Sequence, residues 1–367
     1  MSKDKKLIPE LRFPEFDKDG KWDIKTFKEL FEIGNGRDYK HLDEGDIPVY
    51  GSGGYMLSVN DYLFDGESAC IGRKGTINNP MFLSGKFWTV DTLFYTHTFK
   101  NCLPKYVYYL FQSIDWLKYN EAGGVPSLSK TNIYQIETLI SHPKEQKKIA
   151  SCLSSLDELI AAHNDKLNAL NDHKKGLMQN LFPQEGETVP KVRFKEFEDD
   201  GEWVEKRFEE LFEIGSGKDY KHLEEGKIPV YGSGGYMLSV NKHLHNGESA
   251  AIGRKGTINN PLFLKGKFWT VDTLFFTRNF NDCIPKFIFY IFQKINWLQH
   301  NEAGGIPSLS KSNIYKIKTL LPKLSEQNLI VEAISSVDDL ILSQEKMIEE
   351  LTKHKKGLIQ GLFLKNK

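Results

Sequence analysis

The chain is one unit written twice, and that repeat limits every other reading of it. Residues 11–182 align with 192–363 without a gap, at a constant offset of 181, and most aligned positions are identical. IPVYGSGGYMLSVN stands at 47–60 and again at 228–241. GRKGTINNP begins at 72 and 253, GKFWTVDTLF at 85 and 266, and PSLSK at 126 and 307. Such a period is far longer than the roughly 20–50 residues of stacked repeat arrays. The repeat therefore predicts a duplicated domain with its connector, not a solenoid.

Each unit has two parts. The first, about 11–142, is rich in glycine, aromatic and β-branched residues and carries turn signals such as GSGG and NNP, which predicts short strands. One helix is expected at about 104–119, where Pro104 suits the first helical position. The second part, about 145–182, has Gly176 as its only glycine and no proline. Its seam runs Ile149, Leu153, Leu156, Ile160, His163, Leu167, Leu170, Lys174, Leu177 and Leu181. The second copy repeats it as Ile330, Ile334, Val337, Ile341, Gln344, Ile348, Leu351, Lys355, Leu358 and Leu362. Steps of four and three define a heptad, so each part reads as a helix roughly 54 Å long. So narrow a stripe needs a partner, most simply the other copy's seam. The alternative is that each helix packs on its own domain, which favours a wider apolar face. His163 and Gln344 are read as register-setting polar positions, and Lys174 and Lys355 as slack near exposed ends. PQEGETVPK (183–191) reads as a turn-rich connector.

Formal net charge is zero, which argues against strong DNA binding by the chain alone, because phosphate neutralisation needs Lys and Arg. Local basic loops, or partners that carry the backbone contacts, remain compatible with it. No apolar run is long enough for a membrane span, and MSKDKKLIPEL has no apolar signal core. Cys70, Cys102, Cys152 and Cys283 have neither zinc-ligand nor CxxC spacing, so they read as free thiols in a reducing, cytoplasmic setting.

Three strings imitate enzyme motifs. FEIGNG (31–36) and FEIGSG (212–217) resemble a cofactor glycine loop, but no helical pattern follows them. NNPMF (78–82) and NNPLF (259–263) resemble the Asn-Pro-Pro-aromatic loop of amino-methyltransferases, with Met81 and Leu262 in place of the second proline. They read more simply as Asn-Pro turns. GESACIGRKGT (66–76) lacks P-loop spacing. No catalytic residues or metal ligands are assigned.

The same strings suit nucleic-acid contact better. Tyr50, Gly51, Ser52, Gly53, Gly54 and Tyr55, with Tyr231, Gly232, Ser233, Gly234, Gly235 and Tyr236, form a small-residue turn between aromatics that lets a ligand approach the backbone. Arg73, Lys74 and Thr76, with Arg254, Lys255 and Thr257, sit on a glycine-flanked turn suited to phosphate, or to an arginine bidentate to guanine. Ser127 and Lys130, with Ser308 and Lys311, add short donors, together with Ser129 and Asn132. A solvated turn is the bland reading of any one loop; three recurring together favour binding.

These residues resemble the specificity subunits of type I restriction–modification systems. IPVYGSGGY, ACIGRKGT, KFWTVDTLF, GGVPSLSK and the Glu145–Gln146 and Glu326–Gln327 pairs leading into heptads carry the likeness. The resemblance implies an α+β fold: two duplicated target-recognition domains joined by a long antiparallel two-helix coiled coil. On this chain that places recognition domains at 1–142 and 192–323, spacer helices at 143–182 and 324–367, and a linker at 183–191. It also implies a non-catalytic partner of double-stranded DNA, two methyltransferase subunits and restriction subunits. S-adenosylmethionine, ATP and magnesium would belong to those partners, with no cofactor and no membrane contact in this chain. Family members usually carry two dissimilar recognition domains, whereas these are close copies. The expected target is therefore bipartite and near-palindromic. Two divergent blocks are the places where the half-sites would differ. One is Asp61, Tyr62, Phe64 and Asp65 against Lys242, His243, His245 and Asn246. The other is His97, Thr98, Lys100 and Asn101 against Arg278, Asn279, Asn281 and Asp282. The rival functions are a stand-alone adenine methyltransferase and a scaffold for protein or glycan.

Overall fold

The structure, a computed structural model, describes residues 7–363. It contains two compact units. One comprises the chain up to Asp165 together with the segment from Lys346; the other is Lys166–Glu345.

In the first unit, antiparallel strands Glu32–Asn35, Leu93–His97, Ser68–Gly72 and Met81–Leu83 form one sheet in that order. A second sheet runs Gly54–Val59, Glu44–Gly51, Lys86–Thr89, Phe64–Asp65, with Val49–Tyr50 parallel to Trp88–Thr89. Alternation sorts the first sheet's side chains onto two faces. Ile33, Ala69, Ile71 and Phe94 join the core around Pro104–Ser113; Cys70, Leu83 and Leu93 pack with Phe87 on the other side. The second unit repeats this arrangement with its strands continuous, as one six-stranded sheet. There Lys265 replaces Ser84, and its ion pair with Glu248 at 3.0 Å bridges the hairpin where the first unit's strands break.

The helix expected at 104–119 stops at Ser113, and Trp116–Tyr119 is a separate 3₁₀ turn. Ile114 is extended, and the Trp116 indole N–H donates to the Phe111 carbonyl at 2.9 Å. Folding back buries Trp116 against Phe111 instead of leaving it on an exposed helix face.

The heptads form long helices, Pro143–Asn180 and Leu324–Leu362. In the first helix Leu156, Ile160, Leu167 and Leu170 are half-buried between exposed flanks. In the second, Ile334 and Val337 are buried and Ile341, Ile348 and Leu351 half-buried. The helices run antiparallel inside each unit. In the first unit Ile149 and Leu153 share a core with Leu358, Ile359, Leu362 and Phe363, and Asp157 pairs with Lys355 at 2.5 Å. In the second, Met178 and Leu181 share a core with Ile330 and Ile334, and Lys174 pairs with Asp338 at 2.7 Å. The helix ends also enter the domain cores, so both packing solutions operate together. Lys174 and Lys355 are not slack. Each neutralises an aspartate that accepts a tyrosine hydroxyl at 2.7 Å, from Tyr109 to Asp157 and from Tyr290 to Asp338. Gln344 is buried on the seam and His163 half-buried.

The Glu-Gln pair anchors each helix. Glu145 is buried and takes both arms of Arg12 at 2.8 Å, plus the Trp22 indole N–H at 3.2 Å. Gln146 accepts from the Leu103 amide and donates to the carbonyls of Asn101 and Ser141. Glu326 and Gln327 repeat the arrangement with Arg193, Trp203, Ile284 and Asp282.

Candidate nucleic-acid interface

Glu44–Gly51 and Gly54–Val59 form a hairpin closed by Gly51 opposite Gly54, so Ser52 and Gly53 make a two-residue turn. Gly54 has φ 115°, a left-handed value that favours glycine. A side chain at Gly53 would meet only open space, so that backbone is accessible. Tyr55 beyond the turn is 62% exposed. Tyr50 faces inward instead, packing on the Cys70, Leu83, Phe87 and Leu93 cluster.

Ser68–Gly72 leads into the Arg73–Lys74 turn. A side chain at Gly72 would come within 2.0 Å of the Thr76 carbonyl, which explains that glycine and gives Thr76 a backbone role. Hydrogen bonds then lace three loops together. The Ser52 hydroxyl donates to the Lys74 carbonyl at 2.8 Å, the Gly75 amide to Pro126 at 2.8 Å, and the Leu128 amide to Arg73 at 2.8 Å. Lys74 and Ser127 form a β-bridge. The glycine hairpin, the basic turn and PSLSK are thus one surface. In the second unit the Gly256 amide bonds Pro307 at 2.9 Å, the Leu309 amide bonds Arg254 at 2.9 Å, and Lys255 bridges Ser308.

The three cations of each unit differ in situation. Arg73 is exposed, its guanidinium 6.0 Å from the Phe94 ring centre and bonded to the Asp91 carbonyl at 3.3 Å. Lys74 is exposed on the turn. Lys130 is half-buried, 5.9 Å from the same ring, and donates to the Ile33 carbonyl at 2.6 Å. Burial, and then Arg73, lower its pKa. Arg254 and Lys311 flank Phe275 in the same way, at 5.8 and 5.7 Å. Ser129 caps the helix Lys130–Gln135 by accepting from the Asn132 amide, so its hydroxyl serves the fold. Beside the hairpin lies a cleft of about 580 Å³ lined by Asp38, Tyr39, Tyr55 and Asp91 among others; its counterpart in the second unit measures about 790 Å³.

The enzyme-like strings have structural roles. Glu32–Asn35 is a strand, and a side chain on Gly34 would strike the Tyr95 ring at 2.1 Å. Asn78 and Asn79 form an exposed turn, and Phe82 returns to pack on Tyr108 at 5.8 Å. Among the described residues no group of three or more His, Cys, Asp or Glu is placed to hold a metal ion, no cysteine is in a disulfide, and no helix is long and apolar enough to cross a membrane. Sequence reasoning missed Arg12 and Phe94. Arg12 lies 133 positions from its partner Glu145, and Phe94 reads as an ordinary core aromatic.

Residues 19–172 and 200–353 each match the type I restriction modification DNA specificity domain. The chain belongs to that family. It is 27% identical over 359 residues to the type I restriction enzyme MjaVIII specificity subunit of Methanocaldococcus jannaschii, covering 84% of this chain and 79% of that one. A putative specificity subunit of Haemophilus influenzae is 20% identical over 362 residues, covering 86% and 91%. The crystal structure of a type I restriction–modification S subunit from M. genitalium shares the fold, with a TM-score of 0.76 at 18% identity over 98% of this chain and 100% of that one. The α+β architecture of duplicated domains and long antiparallel helices is therefore that of a specificity subunit.

Proposed function

We propose that the chain reads a bipartite, near-palindromic sequence in double-stranded DNA and positions methyltransferase and motor-nuclease subunits there, without chemistry of its own. The observation that carries this reading is the gathering of glycine-rich and basic loops into one surface in a chain of the specificity family: three loops are laced in the first unit, and in the second the basic turn is laced to PSLSK with Ser233 of the hairpin beside Gly256. Arg73 and Arg254, with the platform phenylalanines beneath them, suit base-edge contact; Lys74 and Lys255 suit phosphate. Lys130 and Lys311 support the arginine platform and add positive potential. Tyr55 and Tyr236, exposed at the hairpin tips, offer rings for sugar and base contact. The near-identity of the units favours similar half-sites, and the antiparallel helix pairing favours inverted ones, about one helical turn or roughly 10 bp apart. In this reading S-adenosylmethionine, ATP and magnesium bind the partners, and the complex works in the cytoplasm.

The test is to express the chain with a methyltransferase subunit and map methylated bases across a genome. One interrupted, inverted motif is expected; methylation without any motif refutes the reading.

A further inference from the structure

The two divergent blocks, distant in sequence, are one patch in each unit. In the first, Phe64 and Asp65 pair with Phe87 and Lys86, and the Phe64 ring lies 5.3 Å from Tyr95 and 6.1 Å from His97. His97 is 5.6 Å from Tyr95 and 3.8 Å from Glu32. In the second, His245 takes the place of Phe64, Phe276 that of Tyr95 and Arg278 that of His97. The His245 ring is 5.3 Å from both Phe268 and Phe276, and Arg278 pairs with Glu213 at 3.2 Å. The ring keeps its position while its edge changes from hydrocarbon to imidazole.

The backbone beside the patch is held while its side chains change. Thr98 and Asn101 have φ of 51° and 53°; Asn279 and Asp282 have 50° and 52°. Left-handed geometry is unfavourable for a β-branched threonine, so the surroundings impose it. The Lys100 amide bonds the Leu30 carbonyl at 2.7 Å, as Asn281 bonds Leu211 at 2.8 Å. Gln146 and Gln327 each hold the carbonyl closing the turn, at 3.0 Å. Beneath the patch Gly34 and Gly215 let the Tyr95 and Phe276 rings lie flat across the strand. The hairpin and basic turns, in contrast, are identical in the two copies.

We propose that this patch, centred on Phe64 and His97 over the Tyr95 ring in the first unit and on His245 and Arg278 over the buried Phe276 ring in the second, is the surface on which the two half-sites are told apart. The inference rests on the DNA-reading function above. The shared loops read what the half-sites have in common, and the patch reads the base or two by which they differ. An apolar ring edge suits a thymine methyl, whereas an arginine suits the two acceptors of guanine. Burial, followed by the charges of Arg278 and His243, keeps the pKa of His245 low, so its imidazole is neutral near pH 7 and offers one donor and one acceptor.

The experiment compares motifs methylated by the full complex containing the parent chain or the variant Phe64→His, Tyr95→Phe, His97→Arg. The parent motif should have half-sites differing at one or two positions, and the variant motif should be a complete inverted repeat. His97→Arg alone should shift base preference at one position by roughly ten- to a hundredfold. The reciprocal variant His245→Phe, Phe276→Tyr, Arg278→His covers the case in which the first triple variant misfolds. A parent motif already fully palindromic, or a motif unchanged in both variants, overturns the inference. A parent complex that methylates without a motif sinks the underlying function as well, which separates the two failures.

Discussion

Arg73 and Lys74 are neighbours in different settings. The Arg73 guanidinium is braced over Phe94 and tied to the Asp91 carbonyl, so it presents a fixed fork. Lys74 carries an exposed charge. Lys74→Ala should therefore weaken DNA binding by the assembled complex on all sequences and reduce the salt slope by about one unit. Arg73→Ala should relax the preference at one base position, at a cost of about 1–3 kcal/mol. Filter binding across a salt series on matched and mismatched sites separates the two, and an Arg73/Lys74 double variant with unchanged affinity and slope would reject both roles. His245 carries a pH prediction. Its folded pKa is lowered, chiefly by burial, so folding favours the neutral ring. That contribution is complete above the unfolded pKa of about 6.5 and is lost as pH falls below it. Unfolding followed from pH 7.5 to 5 should show acid sensitivity that His245→Phe reduces, because Phe64 fills the matching place in the first unit without a titrating group.

At the scale of elements, the heptad was legible because it is local: Leu153, Leu156 and Ile160 announce a helix face in any fold. Its pairing ions were not, because Asp157 and Asp338 lie beside the stripe and look like solvated flank residues. The helix at 104–113 was legible from Pro104, but its end was not, since the turn at Ile114 depends on the Trp116–Phe111 contact. The three candidate loops were singled out by glycine and cation content. Their lacing through Pro126, Leu128 and Ser52 was hidden, because each bond ends on a backbone carbonyl that composition does not reveal. The inward placement of Tyr50 and the carbonyl contact of Lys130 are likewise tertiary facts. The Glu-Gln motif gives the sharpest element-level prediction. Glu145→Gln keeps the shape but leaves the Arg12 guanidinium nearly buried without its counter-ion, with side-chain exposures of 6% and 1% for the pair. Loss of about 3–5 kcal/mol is expected, read by chemical denaturation. Leu153→Ala, at a fully buried seam position, should cost about 2–5 kcal/mol. A loss below about 1 kcal/mol in both variants would contradict the anchoring described.

At the scale of the whole molecule, the compact units do not follow the order of the chain. The first unit needs the segment from Lys346 onward, and the second includes the first helix from Lys166. The dependence is structural. In the first unit Phe363 packs on Tyr106 at 5.2 Å, and the Leu11 amide bonds the Gly361 carbonyl at 2.9 Å. In the second, Phe182 stacks on Phe287 at 5.2 Å, and the Val192 amide bonds the Asn180 carbonyl at 2.9 Å. The connector between the copies is exposed from Gln184 to Val189, so it is the natural place for a cut. A cut there divides each unit's core between two fragments. Fragments 1–187 and 188–367, co-expressed, should therefore purify as one complex with DNA recognition intact in the presence of the partner subunits. Expressed alone, fragment 1–187 lacks Leu358, Ile359, Leu362 and Phe363 from its core. Uncovering four such side chains removes about 1.5–3 kcal/mol each, comparable with the whole stability of a domain. It should be recovered largely insoluble or as an associated species. Size-exclusion chromatography of the co-expressed pair decides the matter: two separate, monomeric, well-folded fragments would show that the long helices are not shared between the units.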